Sequence, residues 1–395
     1  MTEYAPRGFR LAGLHCGLKR NSRKDIALLV SDAPCTVAGV FTTNQVKAAP
    51  VLRDQAILAG GGARVRAVLT NTGSANACTG EPGLRDAHAS AERAAASLGC
   101  APEEVLTLST GVIGLPLDMT AMARGIAALV PALRPDGWAD AAAAIMTTDT
   151  RPKLASARLS SGAVIAGIAK GAGMIAPHMA TMLALLATDA SILATELDRY
   201  LRAAVEESFN RIVVDGDMST NDTALLLANG AAGVVVDDPA EFQAALNGVC
   251  VALAQAIVRD GEGATKFVTV EVSGAADEVS ARQVAHQIAV SPLVKTAFYG
   301  ADANWGRILA AAGYAGVALD PARLSLWLLD ARGGPLLQLV EGGQPTAYDE
   351  RAAIALMQMA EWGVRLDLGQ GAARAHVWTC DLSHDYVTIN GHYRT

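Results

Sequence analysis

The sequence has no Cys-x-x-Cys pair, no excess of positive charge and no long uninterrupted apolar run, and each absence removes a class of function. Its six cysteines, Cys16, Cys35, Cys78, Cys100, Cys250 and Cys380, are scattered, which supports neither a zinc site nor a disulfide framework and suits reduced thiols. Thirty-two Lys and Arg stand against thirty-nine Asp and Glu, so no global basic field attracts phosphate backbones and nucleic acid is not an expected partner. The longest apolar stretch, residues 162–186, is interrupted by Lys170, Pro177 and His178, which a membrane-spanning helix tolerates poorly. The first residues lack a basic segment followed by an apolar one. We therefore expect a cytoplasmic protein with no membrane partner.

What is present points to an ordered enzyme-sized chain. Hydrophobic residues make up 51% of the 395 and charged residues 18%, a balance that builds sizeable cores and excludes extensive disorder. Short β-rich runs at 25–31, 35–41, 66–70 and 105–109 read as strands bounded by turn formers. Alanine-rich segments at 84–98, 119–133 and 138–146 favour helix. A hairpin is expected over 158–168, then a buried strand at 182–188. Further on, helices at 195–208, 240–258, 278–289 and 350–359 alternate irregularly with strands at 267–272, 324–329, 364–368 and 373–380. The irregular mixture indicates an α+β architecture over strict βαβ winding. Residues 330–346, rich in Gly and Pro, are expected to be an exposed loop.

The chemistry concentrates in Lys170-Gly-Ala-Gly-Met-Ile-Ala-Pro-His-Met-Ala-Thr181-Met-Leu-Ala. Residues 171–176 satisfy the dinucleotide pattern G-x-G-x-x-A, but Pro177 falls within the first turns of the helix that pattern must open, and no acidic residue ends a second strand about twenty residues on. The alternative is an autoprocessing threonine. Thr181 Oγ attacks the Ala180 carbonyl, the ester hydrolyses, and Thr181 becomes a new N-terminus. A free α-amine, with an ordinary pKa of about 7.7–8.0, then serves as base for its own hydroxyl. Without further context, a threonine among apolar residues is an ordinary member of a core strand.

That segment resembles the nucleophile segment of the ornithine acetyltransferases, and other stretches agree in the same order. They are Asn71-Thr-Gly-Ser-Ala-Asn-Ala77, Ser109-Thr-Gly-Val-Ile-Gly114, Ile145-Met-Thr-Thr-Asp-Thr150, Asp260-Gly-Glu-Gly-Ala-Thr-Lys266, Asn304-Trp-Gly-Arg307 and the closing Cys380-Asp-Leu-Ser and Asn390-Gly-His-Tyr-Arg-Thr395. The resemblance implies a layered α/β/β/α sandwich and a precursor cleaved at Ala180–Thr181 into chains 1–180 and 181–395, which assemble as two copies of each. It implies Thr181 as nucleophile, Thr110 and Gly111 as the oxyanion hole, and Thr147, Lys170, Thr181, Glu262, Asn390 and Thr395 as substrate-binding residues. Lys170 would face a substrate carboxylate and Glu262 a substrate ammonium.

The implied reaction is ping-pong acetyl transfer from N2-acetyl-L-ornithine to L-glutamate in arginine biosynthesis, through an acetyl-Thr181 enzyme and with no metal or resident cofactor. Some relatives also take acetyl from acetyl-CoA, and that co-substrate stays open here. One position departs from the family pattern, because His178 stands where asparagine is usual. Rival readings are a threonine-nucleophile aminopeptidase or amidase of similar fold, and an uncleaved, non-catalytic binding protein. The segment Asp215-Gly-Asp217-Met-Ser219-Thr-Asn221-Asp222 resembles the start of a calcium loop, but Thr220 occupies the required glycine position and Leu226 the twelfth. We expect it to support hydrogen bonding around the site. His384-Asp385 alone establishes no serine triad.

Overall fold

In the computed structural model, which describes residues 4–59, 64–176 and 182–392, the chain divides into two units, residues 1–210 with 217–257 and residues 211–216 with 258–395. The first unit carries β1 (Phe9–Leu14), β2 (Ile26–Phe41), β3 (Arg64–Ser74), β4 (Val105–Val112), β5 (Lys153–Arg158), β6 (Val164–Lys170) and β7 (Leu183–Thr188). After the two-residue β8 (Ile212–Val213), which pairs in the other unit, β9 (Thr223–Ala228) completes this sheet. The strand order is β4-β3-β2-β9-β7-β6-β5, with β1 also on β2.

Long β2 serves two halves of that sheet. Its register against β3 shifts between Val30 and Cys35, an irregularity of the kind that bends a strand. Its first half pairs with β1 and β3, and its second half with β9. Ala27 and Leu29 then share one core with Leu183, Leu185, Leu225 and Leu227 from the other half. Ile26, Leu28 and Val30 point the opposite way, into a core closed by α2 (Gly80–Leu98) and α3 (Met119–Ala132), which follow α1 (Ala49–Ala59). This alternation is the period of two expected of a strand buried on both faces.

The short helix α4 (Trp138–Ala144) contributes Trp138, Ala141 and Ala142 to the core shared by the two halves of the sheet. Behind the second half lie α5 (Ala194–Glu206) and α6 (Pro239–Arg259), joined by Tyr200 and Phe242 with ring centroids 4.8 Å apart. A Cβ on Gly167 of β6 would lie 2.4 Å from Leu186 and 3.2 Å from Leu253 of α6, so glycine permits the close approach of helix and sheet. The layers of this unit are thus α/β/β/α, as the resemblance implied. By length and composition α6 could cross a membrane, but Phe242, Leu246, Cys250, Leu253 and Ile257 are fully buried, which marks it as a core helix.

In the second unit, β10 (Phe267–Ala275), β11 (Ser325–Leu329), β12 (Pro335–Glu341), β13 (Gln344–Pro345), β14 (Glu361–Asp367) and β15 (Ala373–Cys380) join β8 in the order β13-β12-β11-β14-β10-β15-β8. The sheet is mixed, since β10 runs parallel to β14 and antiparallel to β15. Val268, Val270 and Val272 alternate into a core closed by α7 (Glu278–Val290), α8 (Pro292–Gly300), α9 (Trp305–Gly313) and α10 (Glu350–Met357). The last helix, α11 (His384–Gly391), follows β15.

Two expectations need correction. Residues 330–346 are not an open loop, because β12 pairs with β11 and buries Leu339 and Val340. The glycines at 333–334 and 342–343 punctuate the ends of that strand, and Pro335 is its first residue, where a missing N–H is tolerated. The strands expected at 25–31 and 35–41 are one continuous β2. Strands β1 and β9 and helices α1, α8, α9 and α11 were not anticipated.

Candidate active site

The ends of three strands in the first unit bring the expected residues together. Parallel pairing of β3 with β4 sets Thr72 beside Thr110 and Gly73 beside Gly111. Gly111 has φ +133°, and a Cβ there would lie 2.4 Å from the Gly73 carbonyl carbon. Position 111 therefore requires glycine for backbone reasons, apart from any role of its N–H. Thr110 is buried, and so is Lys170 at the end of β6. Lys170 Nζ donates to Thr110 Oγ1 at 3.5 Å. With a lone pair so occupied, the Thr110 hydroxyl proton is available to an acceptor in the site.

Asp149 organises the neighbouring loop from a fully buried position. Its Oδ2 accepts the Thr147 N–H at 2.9 Å. Its Oδ1 accepts Lys153 Nζ at 2.6 Å and the Gly171 N–H at 2.7 Å. Burial alone would raise its pKa, but Lys170, Lys153 and the Gly171 amide outweigh that and hold it at about 2. One carboxylate thus ties the Thr147 loop to the residue after Lys170.

A second positioning device is the loop of residues 15–24. The carboxylate of Asp25 accepts the backbone N–H groups of Cys16, Gly17, Leu18 and Lys19 at 2.7, 3.1, 2.9 and 3.0 Å. Burial opposes this charge, yet the amides of Lys19 and Cys16 keep the Asp25 pKa below the usual carboxylate range. Gly73, with φ +105°, lets the loop lie close, since a Cβ there would sit 2.8 Å from the Leu18 carbonyl oxygen. The loop delivers Lys19 Nζ to the carbonyls of Lys24 at 2.8 Å and Met146 at 2.6 Å. Burial lowers the Lys19 pKa to about 8, against the pull of Asp25 and Asp149. Lys19 therefore fixes the peptide that enters Thr147.

The polar segment before β9 links two strands of the site. Asn221 Nδ2 donates to the carbonyls of Ala75 at 2.7 Å and Ser109 at 2.8 Å. Asp222 Oδ1 accepts the Met182 N–H at 2.9 Å. The segment that resembled a calcium loop is in fact a hydrogen-bonding bracket, and among the described residues no cluster of His, Cys, Asp or Glu is arranged to hold a metal.

In the second unit, Asn390 of α11 donates from Nδ2 to Glu262 Oε2 at 2.7 Å. Glu262 is mostly buried, and Gly263 beside it has φ +69°, with a notional Cβ 2.5 Å from the Tyr386 amide nitrogen. The turn at 260–263 thereby packs close against α11. The structure brings Thr110, Gly111, Thr147 and Lys170 together in one unit and Glu262 with Asn390 in the other. His178, Ala180, Thr181 and Thr395 lie outside the described residues. Sequence reasoning missed Lys19, Asp25 and Asp149 as site-forming residues, because charged residues in loops read as solvated until folding shows Asp25 and Asp149 buried and Lys19 half-buried.

The motifs agree with comparison to known proteins. The ArgJ family matches residues 10–395. The chain belongs to that family. It is 50% identical to the arginine biosynthesis bifunctional protein ArgJ of Symbiobacterium thermophilum, over 99% of this chain and 98% of that one. It is also 50% identical to the protein of the same name from Geobacter sulfurreducens, over 98% of this chain and 99% of that one. Among solved structures, the arginine biosynthesis bifunctional protein argJ of Bacillus halodurans is similar with a TM-score of 0.48 and 41% identity, covering 51% of this chain and 95% of that chain.

Proposed function

We infer that this chain is an acetyltransferase of arginine biosynthesis, moving acetyl from N2-acetyl-L-ornithine to L-glutamate and releasing L-ornithine and N-acetyl-L-glutamate. The observation that carries this reading is membership of the ArgJ family across residues 10–395. The chain is first cut between Ala180 and Thr181, giving chains 1–180 and 181–395 that remain associated, two copies of each. The new α-amine of Thr181 accepts the proton of its own hydroxyl while that oxygen attacks the acetyl carbonyl. The tetrahedral oxyanion is met by the Thr110 hydroxyl and the Gly111 N–H.

The buried Lys170 supports this chemistry twice. Its hydrogen bond leaves the Thr110 hydroxyl as a donor, and its charge favours a substrate carboxylate nearby. Thr147, held by Asp149, lines the substrate site. Glu262, hydrogen-bonded to Asn390, is the residue for the amino-acid ammonium, and Asn390 and Thr395 are further substrate-binding residues. Ornithine leaves, glutamate accepts the acetyl group, and the enzyme returns to its starting state without a metal or resident cofactor. Acetyl-CoA serves as a second donor to the same Thr181, and the enzyme works in the cytoplasm.

Intact mass and N-terminal sequencing of the purified protein test the nucleophile, with a second chain beginning Thr181-Met-Leu-Ala expected. Thr181→Ala should stay whole and transfer no acetyl, and normal turnover by that variant would overturn the reading. Product analysis with and without glutamate separates transfer from hydrolysis, since a hydrolase releases acetate equally well in both.

A further inference from the structure

The loop of residues 15–24 concentrates positive charge beside the candidate site. It contains Lys19, Arg20, Arg23 and Lys24 and no carboxylate, in a chain whose acidic residues outnumber its basic ones. Lys19 and Lys24 are half-buried and engaged, Lys19 on the carbonyls of Lys24 and Met146 and Lys24 on the Asp140 carboxylate. Arg20 and Arg23 are exposed, and so is Arg124 of α3, which donates to the Cys16 carbonyl at 3.1 Å. The outer surface of the loop is therefore lined by guanidinium groups.

Arg20 and Arg23 are presented on a closed turn. The Lys19 ammonium reaches across to the Lys24 carbonyl, and the Arg23 N–H donates to Asn21 Oδ1 at 3.2 Å. The carboxylate of Asp25 fixes the other arm through the N–H groups of Cys16, Gly17, Leu18 and Lys19. A loop ordered in advance loses little freedom when a ligand docks. Burial lowers the Lys19 pKa, Lys170 and Arg23 lower it further, and Asp25 and Asp149 oppose them. Lys19 thus lies within electrostatic reach of both Arg23 and the charges around Thr110 and Thr147, and an anion held over the loop relieves the repulsion among its cations.

The loop also lies at the right end of the fold. Leu18 packs against Gly73, and Gly73 is the register partner of Gly111. Among the proposed substrates, acetylornithine and glutamate are short amino acids, whereas acetyl-CoA joins its acetyl thioester through a long arm to a phosphorylated nucleotide. Phosphate oxygens accept paired N–H groups from a guanidinium. We propose that Arg20 and Arg23 bind the phosphates of acetyl-CoA, holding the nucleotide at the protein surface while the acetyl thioester enters beside Thr110 and Gly111. This recognition rests on the reading of acetyl-CoA as a second donor.

Steady-state kinetics of the purified enzyme, with glutamate and either donor, test this for the parent and for the double variant Arg20→Gln with Arg23→Gln. The KM of the variant for acetyl-CoA should rise about tenfold, the scale expected of a pair of exposed charge-assisted contacts, with kcat near the parent's. Its KM and kcat with acetylornithine should be unchanged, which also shows that it is folded. An unchanged KM for acetyl-CoA, or equal rises in KM for both donors, overturns the proposal and leaves the second-donor reading standing. A parent that takes no acetyl from acetyl-CoA overturns both. Should the variant fail to fold, the parent's response to salt decides. Its KM for acetyl-CoA should climb with ionic strength far more than its KM for acetylornithine, which carries no net charge, and equal responses overturn the proposal.

Discussion

Lys170 is a buried cation whose partners divide its work between fold and chemistry. Its field helps to hold Asp149 ionised, while its Nζ donates to the hydroxyl of Thr110. Replacement by methionine keeps much of the length and apolar stem but removes the charge and the donor. Hydrogen bonds involving a charged group contribute about 1.5–3 kcal/mol, which corresponds to roughly ten- to hundredfold in rate if the bond serves the transition state. Lys170→Met should therefore lower kcat for acetyl transfer by about that factor. Asp149 keeps Lys153 as a partner at 2.6 Å, so the variant should still fold. Steady-state kinetics with circular dichroism check this, and a kcat equal to the parent's would remove Lys170 from the reaction. At Gly111 the same separation is out of reach. Its left-handed φ and the 2.4 Å approach to Gly73 mean that Gly111→Ala strains the backbone along with any oxyanion contact.

Among the elements, the loop of residues 15–24 is held in place by charge and is correspondingly sensitive to pH. The pKa of Lys19 lies at about 8 instead of 10.5 in the folded protein. Between those values the unfolded chain binds more protons than the folded one, so this group makes stability rise with pH across the window. Below about pH 8 its destabilising effect is fully present. The parent should accordingly gain stability relative to Lys19→Met between about pH 8 and pH 10.5. Denaturant titrations of both proteins at several pH values read this difference, and parallel pH curves would count against it.

Sequence could not have exposed the hold on that loop, because Lys19-Arg-Asn-Ser-Arg-Lys24 reads as a solvated basic stretch, and residues 20–23 are indeed exposed, whereas the half-burial of Lys19 depends on the Met146 carbonyl, far along the chain. Strand β10 was legible because Val268, Val270 and Val272 alternate with less buried residues. Strand β9, Thr-Ala-Leu-Leu-Leu-Ala, is buried throughout and offers no alternation to read. The motif residues Thr110, Thr147 and Lys170 were found through family resemblance, whereas the burial of Asp149 and Asp222 emerged only from the packing of distant segments.

The whole molecule makes the proposed cut compatible with permanent association. The break at 180–181 falls between β6 and β7, which pair antiparallel from Ile165↔Thr188 to Lys170↔Leu183. Strand β7 also pairs with β9, and β9 pairs with β2. Chain 181–395 therefore contributes two neighbouring strands flanked by β6 and β2 of chain 1–180. Their separation would expose the leucines of β7 and β9 and leave strand edges unpaired on both chains, a cost in apolar area and hydrogen bonds that a single unbroken sheet avoids. Once cut, the two chains should co-elute through native chromatography at any salt concentration, because the joint is apolar and hydrogen-bonded instead of ionic. They should part only in denaturant, and chains that separate in native buffer would show that the sheet does not hold them.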